Sequence, residues 1–278
     1  MTFGYLIGFI IEALVIVVIA KLVRDRLLRG RGHHVNELIV GKRSVGAATT
    51  QAGYLIGVLL GFLGAVSARG EHPGFVSLAG FVALSGLLAI ALLLAADQLS
   101  DRLVFRGLAP LDDANLALAV GKAAVSLATG LVLRGALASP ETGVAGRIVW
   151  FVVAQFIMVG SVLAYFRLTP YDDLAEIKRD NLAAGFPVAG ILLAVGLVME
   201  AAISGPPSSS ALDGALGVGK FLGVSLVLVY LFRLVTDVVM LPKVKLARAI
   251  VEDKNVAAGI QEGVSFLLAA LVVTFFLR

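Results

Sequence analysis

Eight long apolar segments alternate with polar stretches along this chain, and each is long enough to cross a lipid bilayer. A helix rises about 1.5 Å per residue, so about 20 apolar residues cross a hydrocarbon core about 30 Å thick. The segments lack the apolar and polar alternation of a barrel strand, so they predict helices, which satisfy their own backbone amides in lipid. The predicted spans are 3–20, 45–66, 75–96, 115–137, 148–166, 182–203, 216–232 and 256–277.

Composition excludes a water-soluble domain. Hydrophobic residues make up 59% of the 278 residues and charged residues only 15%, more apolar surface than a soluble chain of this length could bury. The sequence contains no cysteine, which excludes disulfides, thiolate metal sites and thiol catalysis. The fold class predicted is therefore all-α, a polytopic membrane protein.

A repeated unit organises the spans. A polar stretch, then Asn or Ser, then a small-residue apolar helix occurs four times, beginning at Ser44, Asn115, Asn181 and Asn255. The last three copies share the pattern Asn-x-Ala-[Leu/Ala]-[Ala/Gly]. Another apolar segment precedes each copy, so the chain is predicted to form four hairpins. These make two pseudo-symmetric four-helix repeats, residues 1–140 and 141–278, related by rotation about the membrane normal.

The Asn-x-Ala-Ala-Gly pattern following a charged amphipathic segment, repeated across paired apolar hairpins, resembles the bacterial inner-membrane family known as Domain of Unknown Function 350. The resemblance covers nearly the whole chain in a tandem two-copy form, with Ser44 replacing the Asn of the first unit. It implies a multi-pass protein of the bacterial inner membrane. It implies no agreed activity, although members of the family are described beside polyamine-related or membrane-stress genes.

Charge distribution predicts the orientation. The loops after the odd-numbered spans carry 17 of the 23 Lys and Arg residues, seven of them in the stretch that begins at Lys21 and ends at Arg43. Because positive loops remain in the cytoplasm, both termini are expected outside. The same basic stretch could contact anionic lipid. The net charge of +4 is thus a topology signal, and nucleic-acid binding is not expected.

Small residues predict close helix packing. Gly53, Gly57 and Gly61 stand four apart in the second span, which leaves a smooth stripe for another backbone. Similar residues recur in the fourth, sixth and eighth spans. A role in lining a solute path is the alternative, because small side chains also leave room for a pore.

The position seven residues after each repeat start is chemically informative. It holds Gln51, Lys122, Val188 and Glu262, about 10 Å into the membrane. Lys122 and Glu262 are equivalent in the two halves and carry opposite charge. They could form a structural ion pair, line a pathway as a functional pair, or lie apart at water-exposed surfaces.

Two further polar residues lie deep in odd-numbered spans. Glu12 stands among Ile, Leu, Val and Ala, and Gln155 has a similar depth in the fifth span. Glu12 could bind a proton or cation, be a structural carboxyl, or contact another helix or protomer. Arg134 and Glu200 fall near the other membrane boundary, where we expect them to contact lipid headgroups.

Two function classes follow from these features. The candidate intramembrane polar network of Glu12, Gln51, Lys122, Gln155 and Glu262 favours a channel or transporter for a small ion or cation. Short loops and small-residue packing favour instead a membrane scaffold that assembles with partners, in an envelope-stress or polyamine-related system if the family resemblance holds. No catalytic motif accompanies His33, His34 or His72, so neither enzymatic activity, a cofactor nor a metal is expected. Self-association is left open.

Overall fold

A computed structural model describes residues 3–67, 75–108, 114–138, 143–204 and 245–277, together with isolated positions between 213 and 231. Seven of its helices are long and apolar enough to cross a membrane, which makes this a multi-pass membrane protein. These helices are α1 (Phe3–Gly30), α2 (Val45–Ser67), α3 (Phe75–Leu103), α4 (Leu116–Ala138), α5 (Gly143–Leu168), α7 (Leu182–Ile203) and α9 (Val256–Leu277). Of the seventh predicted span, 216–232, only isolated positions are described.

Short helical segments precede three of the repeat starts. They are a π-helical turn over Glu37–Gly41, α6 (Asp173–Lys178) and α8 (Leu246–Val251). They lie on the side of the bundle where α1 ends and α2 begins, called here the basic side because the stretch 21–43 lies there.

Two spanning helices continue well past the ends predicted for them. The sequence predicted ends at residues 20 and 96, whereas α1 runs to Gly30 and α3 to Leu103. Apolarity stops at the first charged residues, but Leu, Arg, Lys and Gln are good helix formers and no Pro or Gly interrupts either extension. The polar ends of α1 and α3 are therefore helical, and their side chains are held on defined faces.

Each repeat start caps the helix that follows it. The side-chain oxygen of Asn115 accepts a hydrogen bond from the Leu118 amide at 2.7 Å. Ser44, Asn181 and Asn255 accept in the same way from amides two or three residues ahead. Arg43, Asp180 and Lys254, each just before a repeat start, all have positive φ. This left-handed residue turns the chain from the short helical segment into the spanning helix.

The four helices that begin at the repeat starts pack side by side in chain order. In this row, α2 packs on α4, α4 on α7, and α7 on α9. The contacts are backbone to backbone: a Cβ added to Gly130 would lie 2.5 Å from the Gly57 carbonyl oxygen, and one added to Gly263 would lie 2.6 Å from that of Phe186. The predicted small-residue packing is therefore the main contact of the fold. Helices α1, α3 and α5 form a second layer against the row.

Large apolar residues mark both ends of the row. Nine residues after their starts, the first three units have Gly53, Ala124 and Gly190, whereas the fourth has Val264, which is 39% exposed. The other end of the row is α2, whose Leu63 is exposed nineteen residues after its repeat start. The equivalent residues of α4 and α7, Arg134 and Glu200, contact the preceding helix of the row. At these two positions the ends of the row therefore present exposed apolar side chains, which suit lipid.

Candidate functional site

A buried charged cluster lies where α1, α2, α3 and α4 meet near the basic side. Its members are Arg24, Gln51, Asp97, Asp101 and Lys122. The Nζ atom of Lys122 lies 2.8 Å from Oδ1 of Asp101 and 3.6 Å from Oδ1 of Asp97. The Lys122 side chain is 3% exposed, whereas the two carboxylates are 16–17% exposed. The ammonium group is therefore more fully buried than the two carboxylates that it contacts.

Helical geometry positions these groups. Asp97 and Asp101 are four residues apart on the last turns of α3, so they project from one face of that helix. Lys122 lies seven residues after its capping Asn115, about 10 Å along α4. The α3 extension therefore brings two carboxylates to the depth at which α4 carries its lysine.

Arg24 completes the cluster from α1 and is itself 3% exposed. Its Nη1 donates to Oε1 of Gln51 at 3.0 Å and to the carbonyl oxygen of Thr50 at 3.1 Å. The guanidinium also lies over the ring of Tyr54, 4.6 Å from its centroid, and interacts electrostatically with Asp97 and Asp101. A cation–π contact and two hydrogen bonds thus hold a guanidinium that would otherwise be costly to bury.

The cluster balances two cationic with two anionic groups. Removing charges from water costs several kcal/mol per ion unless partners compensate them, and here the compensation comes from three helices. Oδ1 of Asp97 and Nε2 of Gln51 are nevertheless buried without a hydrogen bond among the described residues. Buried polar atoms are normally satisfied by protein or water, so these two can take a water or a small polar ligand.

Glu262 lies in a different place, beside α5. It is fully buried, and Tyr165 donates to its Oε1 at 3.4 Å. The Tyr165 ring packs edge-on against Phe266, 5.7 Å between centroids. Although Lys122 and Glu262 occupy equivalent positions, these contacts join Lys122 to α3 and Glu262 to α5. Among the described residues, the two equivalent positions therefore have different partners: α3 carboxylates for Lys122 and the Tyr165 phenol for Glu262.

The remaining predicted polar residues also lie apart. Oε1 of Gln155 accepts from the Thr129 hydroxyl at 3.4 Å, midway along α4 and α5. Glu12 is partly buried on α1, with Oε2 lacking a hydrogen bond in the described chain. Of the five residues predicted as one network, the contacts described bring Gln51 and Lys122 into one cluster through Arg24 and the α3 carboxylates.

Sequence reasoning missed three members of the cluster. Arg24, Asp97 and Asp101 were assigned to loops, because the spans were ended at the first charged residues. In the structure, Asp101 lies on α3 and is a partly buried partner of Lys122. One sequence feature could have placed the aspartates on a helix: they are four residues apart in a stretch without Pro or Gly.

The expectation of headgroup contact is corrected for Glu200, which is buried in an ion pair with Arg134; the Arg134 side chain itself is 34% exposed. Nε of Arg134 donates to Oε1 of Glu200 at 2.6 Å, and Glu200 is 5% exposed. Both residues lie nineteen positions after a repeat start on neighbouring helices of the row. Equivalent depth on adjacent helices brings opposite charges together, so they pair with each other across α4 and α7.

Comparison with known proteins identifies a family. The family model described as Domain of Unknown Function (DUF350) matches residues 2–137 and again 141–277. No curated protein and no solved structure matches the chain. Within the described residues, no group of three or more His, Asp and Glu side chains is placed to hold a metal ion.

Proposed function

The chain belongs to the Domain of Unknown Function (DUF350) family as two tandem copies in one multi-pass membrane protein, and we propose that it transports a small ion or cation. The charged cluster of the first copy is the binding element in this proposal. The supporting observation is the pair of carboxylates Asp97 and Asp101, partly exposed and flanked by the buried ammonium of Lys122.

In this proposal, the transported cation competes with the Lys122 ammonium group for the carboxylates of Asp97 and Asp101. Lys122 satisfies Asp101 directly and Asp97 only at 3.6 Å, so Asp97 is the weaker contact. A cation or proton that reaches Asp97 from the basic side competes with Lys122 for the same negative charge. Intramembrane charges at such positions commonly mark ion or proton pathways in membrane proteins.

A scaffold is the second candidate, and a specific observation favours it. The row of α2, α4, α7 and α9 is packed through backbone contacts at Gly and Ala. Of the five predicted polar residues, Glu12, Gln155 and Glu262 lie apart from the charged cluster that contains Gln51 and Lys122. Such an arrangement stabilises a rigid membrane body on which other proteins assemble. In that case the charged cluster only holds α1 and α3 against the row.

Flux through purified protein distinguishes the two. Liposomes containing the full chain are assayed for proton, K⁺ and polyamine movement, alongside protein-free liposomes. We expect flux of at least one of these, reduced at least tenfold by Asp97→Asn. The control is Glu252→Gln, which removes an exposed carboxylate whose partner Arg248 is also exposed. Absence of flux above protein-free liposomes, or equal flux from Asp97→Asn, would exclude this proposal and favour the scaffold.

We further propose the bacterial inner membrane as the location, with both termini outside and eight spans in two pseudo-symmetric halves. The basic stretch 21–43 supports this orientation. The predicted span at 216–232 is supported by α7 and α9, which run parallel: Ala183 near the start of α7 contacts Gly259 near the start of α9, and Gly190 contacts Gly263 farther along. A chain that leaves the end of α7 must recross the membrane to begin α9.

A further inference from the structure

A groove lies on the outer surface between α1 and α3, away from the contacts within the charged cluster. Its volume is about 370 Å³. The wall from α1 is Leu27, and the α3 wall consists of Ala91, Leu94, Ala95, Gln98 and Arg102, with Leu99 beside them. Both helices are long and apolar enough to span the membrane, so the groove opens to lipid.

The groove changes in polarity along α3. Ala91, Ala95, Gln98 and Arg102 follow helical spacing and lie on one face. Small alanines leave the space in the apolar part, and Leu27 and Leu94 form its sides. An amide and then a guanidinium follow toward the basic side, about 16 Å from the first alanine. An apolar trough that ends in a cation matches the polarity of one acyl chain joined to an anionic headgroup.

The cationic end is available for such a headgroup. Asp101, the neighbour of Arg102 in sequence, is held by Lys122 at 2.8 Å. Arg102 itself is exposed and lines the groove. Arg31, directly after the end of α1, is close enough to interact electrostatically with Asp101 and so adds positive charge at the same end.

From this we propose that the groove between α1 and α3 is a binding site for an anionic phospholipid of the surrounding bilayer. One acyl chain lies against Ala91, Leu94 and Ala95, and the phosphate is bound at Arg102. The site is distinct from the proposed transport site, because neither Asp97 nor Lys122 lines the groove or contacts the lipid.

The single native tryptophan makes the site directly measurable. In a Trp150→Phe background, Leu27→Trp places the fluorophore at the rim of the groove, and Leu84→Trp places it at a position on α3 that is 70% exposed and outside the groove. Each protein is reconstituted in phosphatidylcholine vesicles with brominated phosphatidylglycerol or brominated phosphatidylcholine. Quenching then gives the relative binding of the anionic and zwitterionic lipid at each position.

We expect the anionic lipid to bind about fivefold more strongly than the zwitterionic lipid at position 27, the size expected of one basic side chain near a membrane surface. At position 27, the ratio of anionic to zwitterionic lipid binding should fall to about one in Arg102→Gln. At position 84, it should be about one both with and without that substitution. The matched control is Arg29→Gln, an equal loss of charge at the end of α1 outside the groove lining.

Three results would overturn the site: a ratio near one at position 27 with Arg102 intact, a ratio unaffected by Arg102→Gln, or an equal loss from Arg29→Gln. The last would mean general attraction to the basic stretch. If the position-27 probe itself perturbs the protein, native mass spectrometry of lipid retained by the unlabelled chain and by Arg102→Gln gives the same comparison. Equal retention of the anionic lipid by the two proteins would also overturn the site.

Discussion

The side-chain amide of Asn181 donates to the carbonyl oxygen of Ile250 at 2.8 Å, which ties the start of α7 to the short helix that precedes α9. Asn115 makes the equivalent bond one unit earlier, donating to the carbonyl oxygen of Ile177 at 2.7 Å. Each of these residues also caps its own helix. One asparagine therefore fixes both the start of a spanning helix and the position of the next unit.

Removing this amide should destabilise the protein more at an internal unit than at the last one. Asn181→Ala loses the cap, the bond to Ile250 and a 2.8 Å bond to Glu176, so we expect about 2–4 kcal/mol of lost unfolding free energy. Asn255→Ala loses a cap at an exposed residue, for about 0.5–1 kcal/mol. Equilibrium unfolding in bicelles compares the two variants, and equal losses would contradict the linking role.

The sequence predicted where each unit begins because a cap is a local feature. Asn or Ser before an apolar helix indicates its start, and the four starts predicted agree with the structure within a residue. The bond from Asn181 to Ile250 could not be predicted in the same way. It joins residues 69 apart in sequence, and only the side-by-side packing of α7 and α9 brings them together.

Backbone contact between α2 and α4 leaves no room for a side chain. A Cβ on Gly130 would lie 2.5 Å from the Gly57 carbonyl oxygen and 2.6 Å from its Cα. We therefore expect Gly130→Ala to force the helices apart and to cost about 1–3 kcal/mol of unfolding free energy. On α5, Gly160→Ala is the matched control, since nothing lies within 4 Å of its added Cβ. Thermal unfolding should show a lower midpoint for the first variant only, and matching midpoints would contradict the close approach.

Topology can be tested at the two ends of the chain segment between α7 and α9. Because the native chain lacks cysteine, Ser204→Cys at the end of α7 and Glu252→Cys just before α9 can be labelled without background. Both residues are exposed. In intact cells, an impermeant maleimide should reach position 204 from outside and position 252 only after permeabilisation. Labelling of both from the same side would exclude a crossing between them, and the reverse pattern would overturn the proposed orientation.

The depth of Lys122 was predictable, but its partner was not. The position of a residue within the repeat fixes its depth in the membrane. Glu262 is the oppositely charged residue at the same depth, so the sequence suggested it as a possible partner of Lys122. The contacts of Lys122 depend instead on the polar end of α3 remaining helical, which hydropathy alone does not indicate. A span ended at residue 96 places Asp97 and Asp101 in a loop, whereas a helix that runs to Leu103 directs both toward α4.

The stability lost in Lys122→Met should therefore be recovered by a second substitution on α3 and not by one on α9. The variant leaves two partly buried carboxylates without their ammonium partner, and we expect it to cost about 3–5 kcal/mol of unfolding free energy. Adding Asp101→Asn removes one of those charges and should recover at least half of the loss, whereas adding Glu262→Gln should recover none, because separate sites combine additively. The exchange of Lys122→Glu with Glu262→Lys should be worse than either single change, because separate sites add their losses: a third carboxylate beside Asp97 and Asp101, and an ammonium group at the buried site of Glu262. Unfolding free energies of the wild type, the single variants Lys122→Met, Asp101→Asn and Glu262→Gln, and the two double variants form two double-mutant cycles. Rescue by the change at Glu262, with none at Asp101, would show that Lys122 pairs across the two halves and would remove the basis of the charged cluster.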